Sequence, residues 1–221
     1  MACRLILIGT GHVFRLGDTI EGIIDREMPD AVAVELDAAR AYILETSSNK
    51  SRKYSNFLYR ILAMTQTIIA RKFNVLAGEE MRAALHAARR NNIPLFYIDM
   101  NSDDVIRRLW ASLSLRKKIS FIASLFLIFF IGKKDIENSL EHFEEDAENV
   151  FDELEKTFPE IKHILIDERN EFMAEKIREL ISMTDKIVAV VGEGHIPGLV
   201  PLLECENIHI DVIHLSHLLK K

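Results

Sequence analysis

Two stretches of sequence decide the predicted fold: residues 5–12, LILIGTGH, and residues 187–195, IVAVVGEGH. Each is an apolar run that ends in a glycine-punctuated turn and a histidine. Apolar runs without alternation are typical of strands that are buried on both faces. The shared Gly-x-Gly-His places an imidazole just past the carboxyl end of each strand, and ligands bind at this edge of open parallel sheets. The repeat therefore predicts one composite site built from both turns.

Three further apolar runs complete a predicted sheet of about five strands. They cover residues 31–35, 94–98 and 208–213, and segments with helical periodicity separate them. Strands that are joined by helices favour an α/β fold, with a mostly parallel central sheet flanked by helices. We expect the whole chain, residues 1–221, to form a single domain.

A long helical insertion is predicted between strands 3 and 4. Residues 100–185 contain no strand candidate, and their apolar positions recur at spacings of three and four. Ser102 is the predicted N-cap of the first helix of this insertion, because serine side chains accept hydrogen bonds from free N–H groups at helix starts.

The composition indicates a globular chain and argues against nucleic-acid binding. Of 221 residues, 48% are hydrophobic, and 28 basic residues against 34 acidic ones give a net charge of −6. Such a chain has no global positive field to hold phosphates. The two cysteines, Cys3 and Cys205, lack a paired spacing, which favours a reducing, cytoplasmic location. The first residues lack a small-residue cleavage site, so we expect no signal peptide.

Residues 119–131, ISFIASLFLIFFI, raise the question of a membrane, since basic residues flank them on both sides. As a helix this stretch is about 20 Å long, whereas the hydrocarbon core is about 30 Å thick. It is too short to cross comfortably, and we expect a buried core helix. The alternative is a helix that contacts the membrane surface or forms a homodimer, because the flanking lysines suit anionic headgroups.

Four polar residues follow predicted strands, namely His12, Glu35, Asp99 and His195. In a parallel sheet all four project from one edge. Two neutral imidazoles and a carboxylate can hold a divalent ion such as Zn²⁺ or Mn²⁺ and leave positions open for water. Such an ion lowers the pKa of water and polarises a carbonyl, as metal-assisted hydrolysis requires. The alternative for each histidine is a hydrogen-bonded loop residue.

Arg169 and Glu80 are charged residues on predicted buried helix faces. Arg169 lies four residues after Leu165 and three before Phe172, on one apolar stripe. A guanidinium on such a stripe needs a buried acceptor. It forms either an ion pair, for example with Asp99, or a fixed positive group for a substrate carboxylate or a developing oxyanion. Glu80 shares its helix face with alanines, so it points inward in either a capping role or a site role.

Two other patterns carry weaker predictions. The glycines of residues 192–198 form GxGxxxG, one residue longer than the dinucleotide fingerprint, and neither turn has the Lys-Ser/Thr of a P-loop. Nucleotide binding is therefore the weaker use of these glycines. His209, His214 and His217 alternate in and after strand 5, which is typical of an exposed edge, and we predict no site role for them.

Six blocks of sequence, in order along the chain, resemble the TraB family (TraB/PrgY), which is related to the Tiki metalloproteases. The blocks are GTGH at 9–12, PDAVAVELDAAR at 29–40, GEEMRAALHAA at 78–88, DMNSDDVIRRLW at 99–110, LIDERNEFMA at 165–174 and VAVVGEGHIPGL at 188–199. The resemblance implies an α/β fold shared with the Tiki and erythromycin-esterase (ChaN-like) groups. It also implies a metal-dependent hydrolase, in particular a peptidase.

The resemblance assigns roles to individual residues. Tiki proteins need two Gly-x-x-His motifs for activity, and these match residues 9–12 and 192–195. The resemblance implies a divalent metal (Mn, Co or Zn) held by His12, His195 and Glu35, catalytic roles for Glu35, Arg169 and Glu80, and substrate binding by Arg108 and Asp99.

The chain also departs from the family pattern. The usual Asp-Arg-Asp after strand 3 is Asp99-Met100-Asn101 here, and Val105 replaces the threonine that follows. If these groups bind substrate, the departures predict a different substrate, whether a peptide or another small molecule.

Two alternatives to a metal-dependent peptidase remain open. A peptide- or pheromone-binding regulator of the pheromone-shutdown type would use the same pocket without turnover. A metal-independent esterase would use a histidine as general base.

Overall fold

A five-stranded, all-parallel sheet forms the centre of the computed structural model, which describes residues 3–11, 15–46, 78–118, 120, 159–204 and 208–219. The strands are β1 (Cys3–Thr10), β2 (Ala31–Val34), β3 (Leu95–Tyr97), β4 (Lys186–Gly192) and β5 (Ile208–Ile213). Their order across the sheet is β3-β2-β4-β1-β5. The predicted α/β fold with a parallel sheet of about five strands is confirmed.

Helices follow the strands and flank the sheet. In chain order they are α1 (Gly17–Glu27), α2 (Ala38–Thr46), α3 (Glu79–Arg90), α4 (Ser102–Ser112), α5 (Pro159–Lys162), α6 (Glu168–Ile181), α7 (Ile196–Leu203) and α8 (Leu215–Leu219). A π-helical turn, His163–Asp167, joins α5 to α6, and a 3₁₀ turn, Glu193–His195, joins β4 to α7.

The two strands with the repeated motif are neighbours. β1 and β4 pair in parallel, with Leu5 opposite Ile187 and Thr10 opposite Gly192. Their apolar side chains are buried on both faces of the sheet, as the unbroken apolar runs predict. The two glycine-punctuated turns therefore leave the sheet side by side at its carboxyl edge.

Alternating side chains along the strands form a separate core on each face of the sheet. On one face, Ile6 and Ile8 of β1 pack with side chains of α1 and α3. On the other face, Leu5 and Leu7 pack with side chains of α6 and α7. Each such side chain that is fully removed from water contributes about 1.5–3 kcal/mol to stability. These two cores hold the helices that deliver side chains to the carboxyl edge.

The start of α4 differs from the prediction. Asn101, not Ser102, is the N-cap, and its side-chain oxygen accepts hydrogen bonds from the N–H groups of Asp103 (3.0 Å) and Asp104 (3.2 Å). Ser102 is the first residue of the helix. Asparagine and serine cap helices about equally well, so the sequence alone does not rank two adjacent candidates.

The helix that carries Arg169 also departs from its predicted register. In the π-helical turn the N–H of Glu168 bonds to the carbonyl of His163, five residues back, so the buried face of the following helix is rotated. Ile161 and Ile177 are buried as predicted. Leu165 and Phe172 are only partly buried, and Leu165 packs against the cluster that contains Ile161 and side chains of α4. The buried residues of α6 are Asn170, Met173, Ala174, Ile177 and Leu180.

Some predictions fall outside the described residues. These are the position of His12, nearly all of the apolar stretch 119–131, and residues 121–158 of the predicted insertion. The described residues between β3 and β4 form helices and turns, without a strand among them. Within the described ranges, no helix is both long and apolar enough to cross a bilayer.

Candidate functional site

The carboxyl edge of the sheet brings together three of the predicted site residues. Glu35 directly follows β2, Asp99 lies just beyond β3, and His195 ends the 3₁₀ turn after β4. Because β2 lies between β3 and β4, the three side chains come from adjacent strands. All three are buried, with exposed fractions of 6%, 6% and 4%. Parallel strands thus place a cluster of titratable groups where open α/β sheets bind ligands.

Arg169 reaches from α6 to this cluster and joins its two carboxylates. Its Nε donates to Oδ1 of Asp99 (2.9 Å) and its Nη2 to Oδ2 of Asp99 (2.8 Å), so the pair is bidentate. Nη2 also donates to Oε1 of Glu35. Burial opposes the charge of Arg169, but the two carboxylates outweigh it and raise the pKa of the guanidinium. The predicted ion pair with Asp99 is therefore present, and it includes Glu35.

The π-helical turn helps to hold the guanidinium in place. Nη1 of Arg169 donates to the carbonyl oxygen of Leu165, at 3.1 Å, within that turn. Such turns recur at functional sites, because they present backbone groups that a regular α-helix keeps for itself. The π-helical turn therefore supplies an acceptor for the buried guanidinium of Arg169, which the spacing of apolar residues in the sequence does not predict.

Glu35 is an ionised carboxylate with partners on both oxygens. Oε2 accepts a hydrogen bond from the N–H of Gly192, at 2.6 Å. Oε1 faces Arg169 and also Nε2 of His195, at 3.3 Å. Burial by itself raises the pKa of Glu35, but the neighbouring His195 and Arg169 and the Gly192 N–H lower it well below its ordinary value. Glu35 therefore carries its charge at neutral pH.

Asn170 orients the imidazole of His195. Its side-chain oxygen lies 2.7 Å from Nδ1 of His195, and since an amide oxygen only accepts, Nδ1 carries the hydrogen. The other ring nitrogen, Nε2, faces Oε1 of Glu35. A Cβ at Gly198 would lie only 2.1 Å from the Asn170 amide nitrogen, so α7 approaches α6 closely at that glycine. The sequence prediction missed Asn170, because an asparagine beside Arg169 fits an exposed helix face equally well.

Arg40 is a second residue that the sequence prediction missed. Its Nη1 donates to Oδ2 of Asp99 at 2.9 Å, so two guanidinium groups converge on one carboxylate. Asp37 holds the start of α2, which carries Arg40: its carboxylate accepts from the N–H groups of Arg40 (2.8 Å) and Ser102 (3.2 Å). Asp37 and Arg40 both lie in the motif ELDAAR, at residues 35–40. The spacing of these residues alone does not reveal that the Arg40 side chain bonds to Asp99 at the sheet edge.

A second carboxylate–imidazole pair lies on the far side of β1. Glu193 is buried, and its carboxylate contacts Nδ1 of His214 (2.7 Å) and accepts from the N–H of Leu215 (2.9 Å). A Cβ at Gly9 would lie 1.9 Å from Oε2 of Glu193, so only glycine leaves room for this carboxylate. The exposed edge predicted for His214 is thus only partly right, since its ring is engaged and about two-thirds buried.

The other two predicted site residues in the described chain, Arg108 and Glu80, come from α4 and α3. Arg108 is half exposed on α4 and pairs with Glu168 at 2.6 Å. Glu168 directly precedes Arg169 in the sequence. Glu80 is fully buried near the start of α3. That helix packs on the sheet face opposite to α6. The inward orientation predicted for Glu80 is confirmed, whereas its role stays a prediction.

The donor set at the sheet edge can be compared with what a divalent ion requires. Two ligand atoms bound about 2.0 Å from a tetrahedral ion lie roughly 3.3 Å apart, and Oε1 of Glu35 and Nε2 of His195 are separated by 3.3 Å. The hydrogen bond from Nδ1 to Asn170 is the outer-shell support that metal-binding histidines use. The described residues contain no group of three metal-ligating side chains, and the predicted third ligand, His12, lies outside them. The separation of the two described donors matches this geometry, and Oε1 of Glu35 also accepts a hydrogen bond from Arg169.

Comparison with known proteins agrees with the resemblance found in the sequence. A family model described as the TraB/PrgY/gumN family matches residues 2–211. An uncharacterized protein of Methanocaldococcus jannaschii is 32% identical over 99% of this chain and 58% of its own length. A TraB domain-containing protein of Bos taurus is 26% identical over 89% of this chain and 61% of its own length.

The chain thus spans about three-fifths of the length of the curated relatives that it matches. The family match, in contrast, extends over nearly all of the chain and includes both glycine-punctuated turns, ELDAAR and the helix of Arg169. The protein therefore belongs to the TraB/PrgY/gumN family.

Proposed function

We propose that this protein is a metal-dependent hydrolase that cleaves peptide bonds at the carboxyl edge of its sheet. The observation that carries the proposal is the buried pair of Glu35 and His195, whose facing atoms lie 3.3 Å apart. One side of the pair is held by Arg169 and the other by Asn170. Glu35 is buried and its pKa is strongly lowered, and groups with strongly shifted pKa values cluster at functional sites. We assign the ion to His195, Glu35 and the predicted ligand His12.

Each described residue has a separate task in the proposed reaction. Glu35, ionised at neutral pH, accepts a proton from the attacking water, whose oxygen bonds to the carbonyl carbon. Glu35 then passes this proton to the amine nitrogen as the carbon–nitrogen bond breaks, and His195, oriented by Asn170, would hold the ion. Arg169 supplies a fixed positive charge for the oxyanion that develops on the carbonyl. A divalent ion at this place would polarise the carbonyl and lower the pKa of water.

Substitution of the pair tests the proposal. We expect Glu35→Gln to lower kcat/KM for peptide cleavage about 10²–10⁴-fold, the usual contribution of a general base. We expect His195→Ala to lower it by a comparable factor, because the ion loses a ligand. The measurement is cleavage of a random peptide mixture, followed by mass spectrometry, with added Mn²⁺, Co²⁺ or Zn²⁺. His209→Ala is the matched control, because this histidine is 71% exposed and pairs only with Asp211 in the described part of the chain.

The metal is tested separately by elemental analysis of the purified protein. We expect stoichiometric metal in the wild type and its loss in His195→Ala. Metal-free protein whose activity does not change in either site variant would contradict the proposal.

A second candidate function is peptide binding without turnover, as in a pheromone-binding regulator. The observation that favours it is that Glu35 has hydrogen-bond partners on both oxygens, Arg169 on one and Gly192 on the other. Tight peptide binding without cleavage, in the presence of the same three metal ions, would support this candidate. A cytoplasmic location, and membrane contact or dimer formation through residues 119–131, stay predictions.

A further inference from the structure

Arg40 is the outermost charged side chain of the site cluster. Its side chain is 24% exposed, against 15% for Arg169 and 2% for Asp99. A guanidinium carries five N–H donors, and within the described residues the Arg40 side chain makes one hydrogen bond, from Nη1 to Asp99. The described residues thus leave the other donors of Arg40 without a hydrogen-bond acceptor.

Arg40 adds a second cation to a cluster that contains two buried carboxylates. Arg169 donates to both oxygens of Asp99 in a bidentate pair and also to Glu35. The bond from Arg40 is a further one to Oδ2 of Asp99. The two guanidiniums thus balance the charges of the two carboxylates, and this task occupies only one N–H group of Arg40. Among the described residues, the other donors of Arg40 stay available to a ligand.

The distance from Arg40 to the reacting pair limits what that ligand can be. Arg40 touches Asp99, Asp99 touches Arg169, and Arg169 touches Glu35. Three consecutive hydrogen bonds span at most about 9 Å. An extended peptide advances about 3.3–3.6 Å per residue. A group bound by Arg40 therefore lies within a few residues of a peptide bond that is held at Glu35.

We propose that Arg40 binds a carboxylate of the substrate, located within a few residues of the bond that is cleaved. This inference rests on the proposed function and names its substrate class: peptides with an anionic group close to the scissile bond. The planar guanidinium fork matches a carboxylate with two parallel hydrogen bonds, which are charge-assisted and strong. The carboxylate is either the free C-terminus of a short peptide or the side chain of an acidic residue.

Binding to a catalytically impaired variant separates this inference from the proposed function. His195→Ala leaves Arg40, Asp99, Arg169 and Glu35 in place and serves as the immobilised background. Three random octapeptide mixtures are passed over it: free acids, C-terminal amides, and amides with one fixed glutamate. Retained peptides are identified by mass spectrometry. We expect retention of the free acids, the glutamate amides or both to exceed that of the plain amides about 10- to 100-fold, the range for a charged hydrogen bond.

Three substitutions added to the same background identify the residue responsible. Arg40→Gln should abolish the preference for carboxylates. Arg40→Lys should keep the ion pair with Asp99 and the fold but lose most of the preference, because an ammonium lacks the planar fork. Arg107→Gln is the control and should leave the preference unchanged, since Arg107 is 74% exposed and pairs with Asp104. Thermal unfolding verifies that each variant is folded.

The outcomes of the two proposals are distinguishable. Free acids retained over both kinds of amide indicate recognition of the C-terminus, and retention of the glutamate amides indicates recognition of a side chain. Retention that depends on Arg40, in a protein that never cleaves peptides, supports carboxylate binding and contradicts the hydrolase. Equal retention of acids and amides, no retention, or a preference that survives Arg40→Gln overturns the inference, even if the wild type cleaves peptides.

Discussion

At the residue scale, Arg169 is the side chain on which the two buried carboxylates depend. Its guanidinium bonds to Glu35 and to both oxygens of Asp99. Removal of one partner from a buried ion pair leaves an uncompensated charge, which costs about 3–5 kcal/mol. We expect Arg169→Met to lose this much free energy of unfolding at neutral pH, measured by urea denaturation with a chelator present. Glu35→Gln with Asp99→Asn in the Met background should restore much of it.

The pH dependence of that loss gives an independent check. In the wild type the pKa of Glu35 lies well below its unfolded value of about 4.3. The stability from this depressed pKa is present above about pH 4.3 and is lost as the pH falls through the folded pKa. Without Arg169, burial is opposed only by His195 and the Gly192 N–H, so the pKa of Glu35 rises relative to the wild type. The difference in unfolding free energy between wild type and variant should therefore be largest near neutral pH and narrow toward about pH 4. A constant difference would contradict this account.

At the scale of secondary-structure elements, the close approach of α6 and α7 positions His195. Asn170 of α6 binds the imidazole, and Gly198 of α7 leaves room for the Asn170 amide. A methyl group at position 198 must displace that amide, because the two would be 2.1 Å apart. We expect Gly198→Ala to cost about 1–3 kcal/mol of stability. It should also lower activity or metal affinity about 10- to 100-fold, as loss of outer-shell support does.

The control for this substitution is a glycine in a helix with open space around it. Gly22 lies on the exposed side of α1, and a Cβ there would meet nothing within 4 Å. Gly22→Ala should stabilise the protein by about 0.5–1 kcal/mol, because alanine loses less backbone entropy in a helix. Its activity should equal that of the wild type. If Gly198→Ala behaved like Gly22→Ala in both measurements, the positioning of His195 by α7 would be wrong.

At the scale of the whole molecule, metal binding and folding should be linked. The proposed ligands come from separate strands, and they meet only when the sheet is assembled. A ligand that binds only the folded state, at 100 times its Kd, stabilises it by about 2.7 kcal/mol. For a chain of this size we expect Mn²⁺, Co²⁺ or Zn²⁺ to raise Tm by roughly 5–10 °C. The measurement is calorimetry of wild type, His195→Ala and His209→Ala, and an equal rise in all three would argue against this site.

The fold was more predictable from the sequence than the site was. Unbroken apolar runs indicated every strand of the described sheet, and β5 was predicted with its observed bounds. Such a run records burial on two faces, which is a local property of the chain. The N-cap of α4 and the buried stripe of α6 were less predictable. The N-cap could be either Asn101 or Ser102, which cap helices about equally well. The buried face of α6 depends on a π-helical turn, which the spacing of apolar residues does not indicate.

The sequence alone determined the strands, the parallel sheet, the family, and the placement of Glu35, Asp99 and His195 beyond strand ends. It did so because hydrophobic periodicity and turn residues are read along the chain. Only the tertiary structure decided that Arg40 and Asn170 join these residues, and that Glu193 pairs with His214. Such contacts join residues far apart in sequence through strand order and helix packing. They arise from long-range burial and charge compensation, for which local pattern carries no signal.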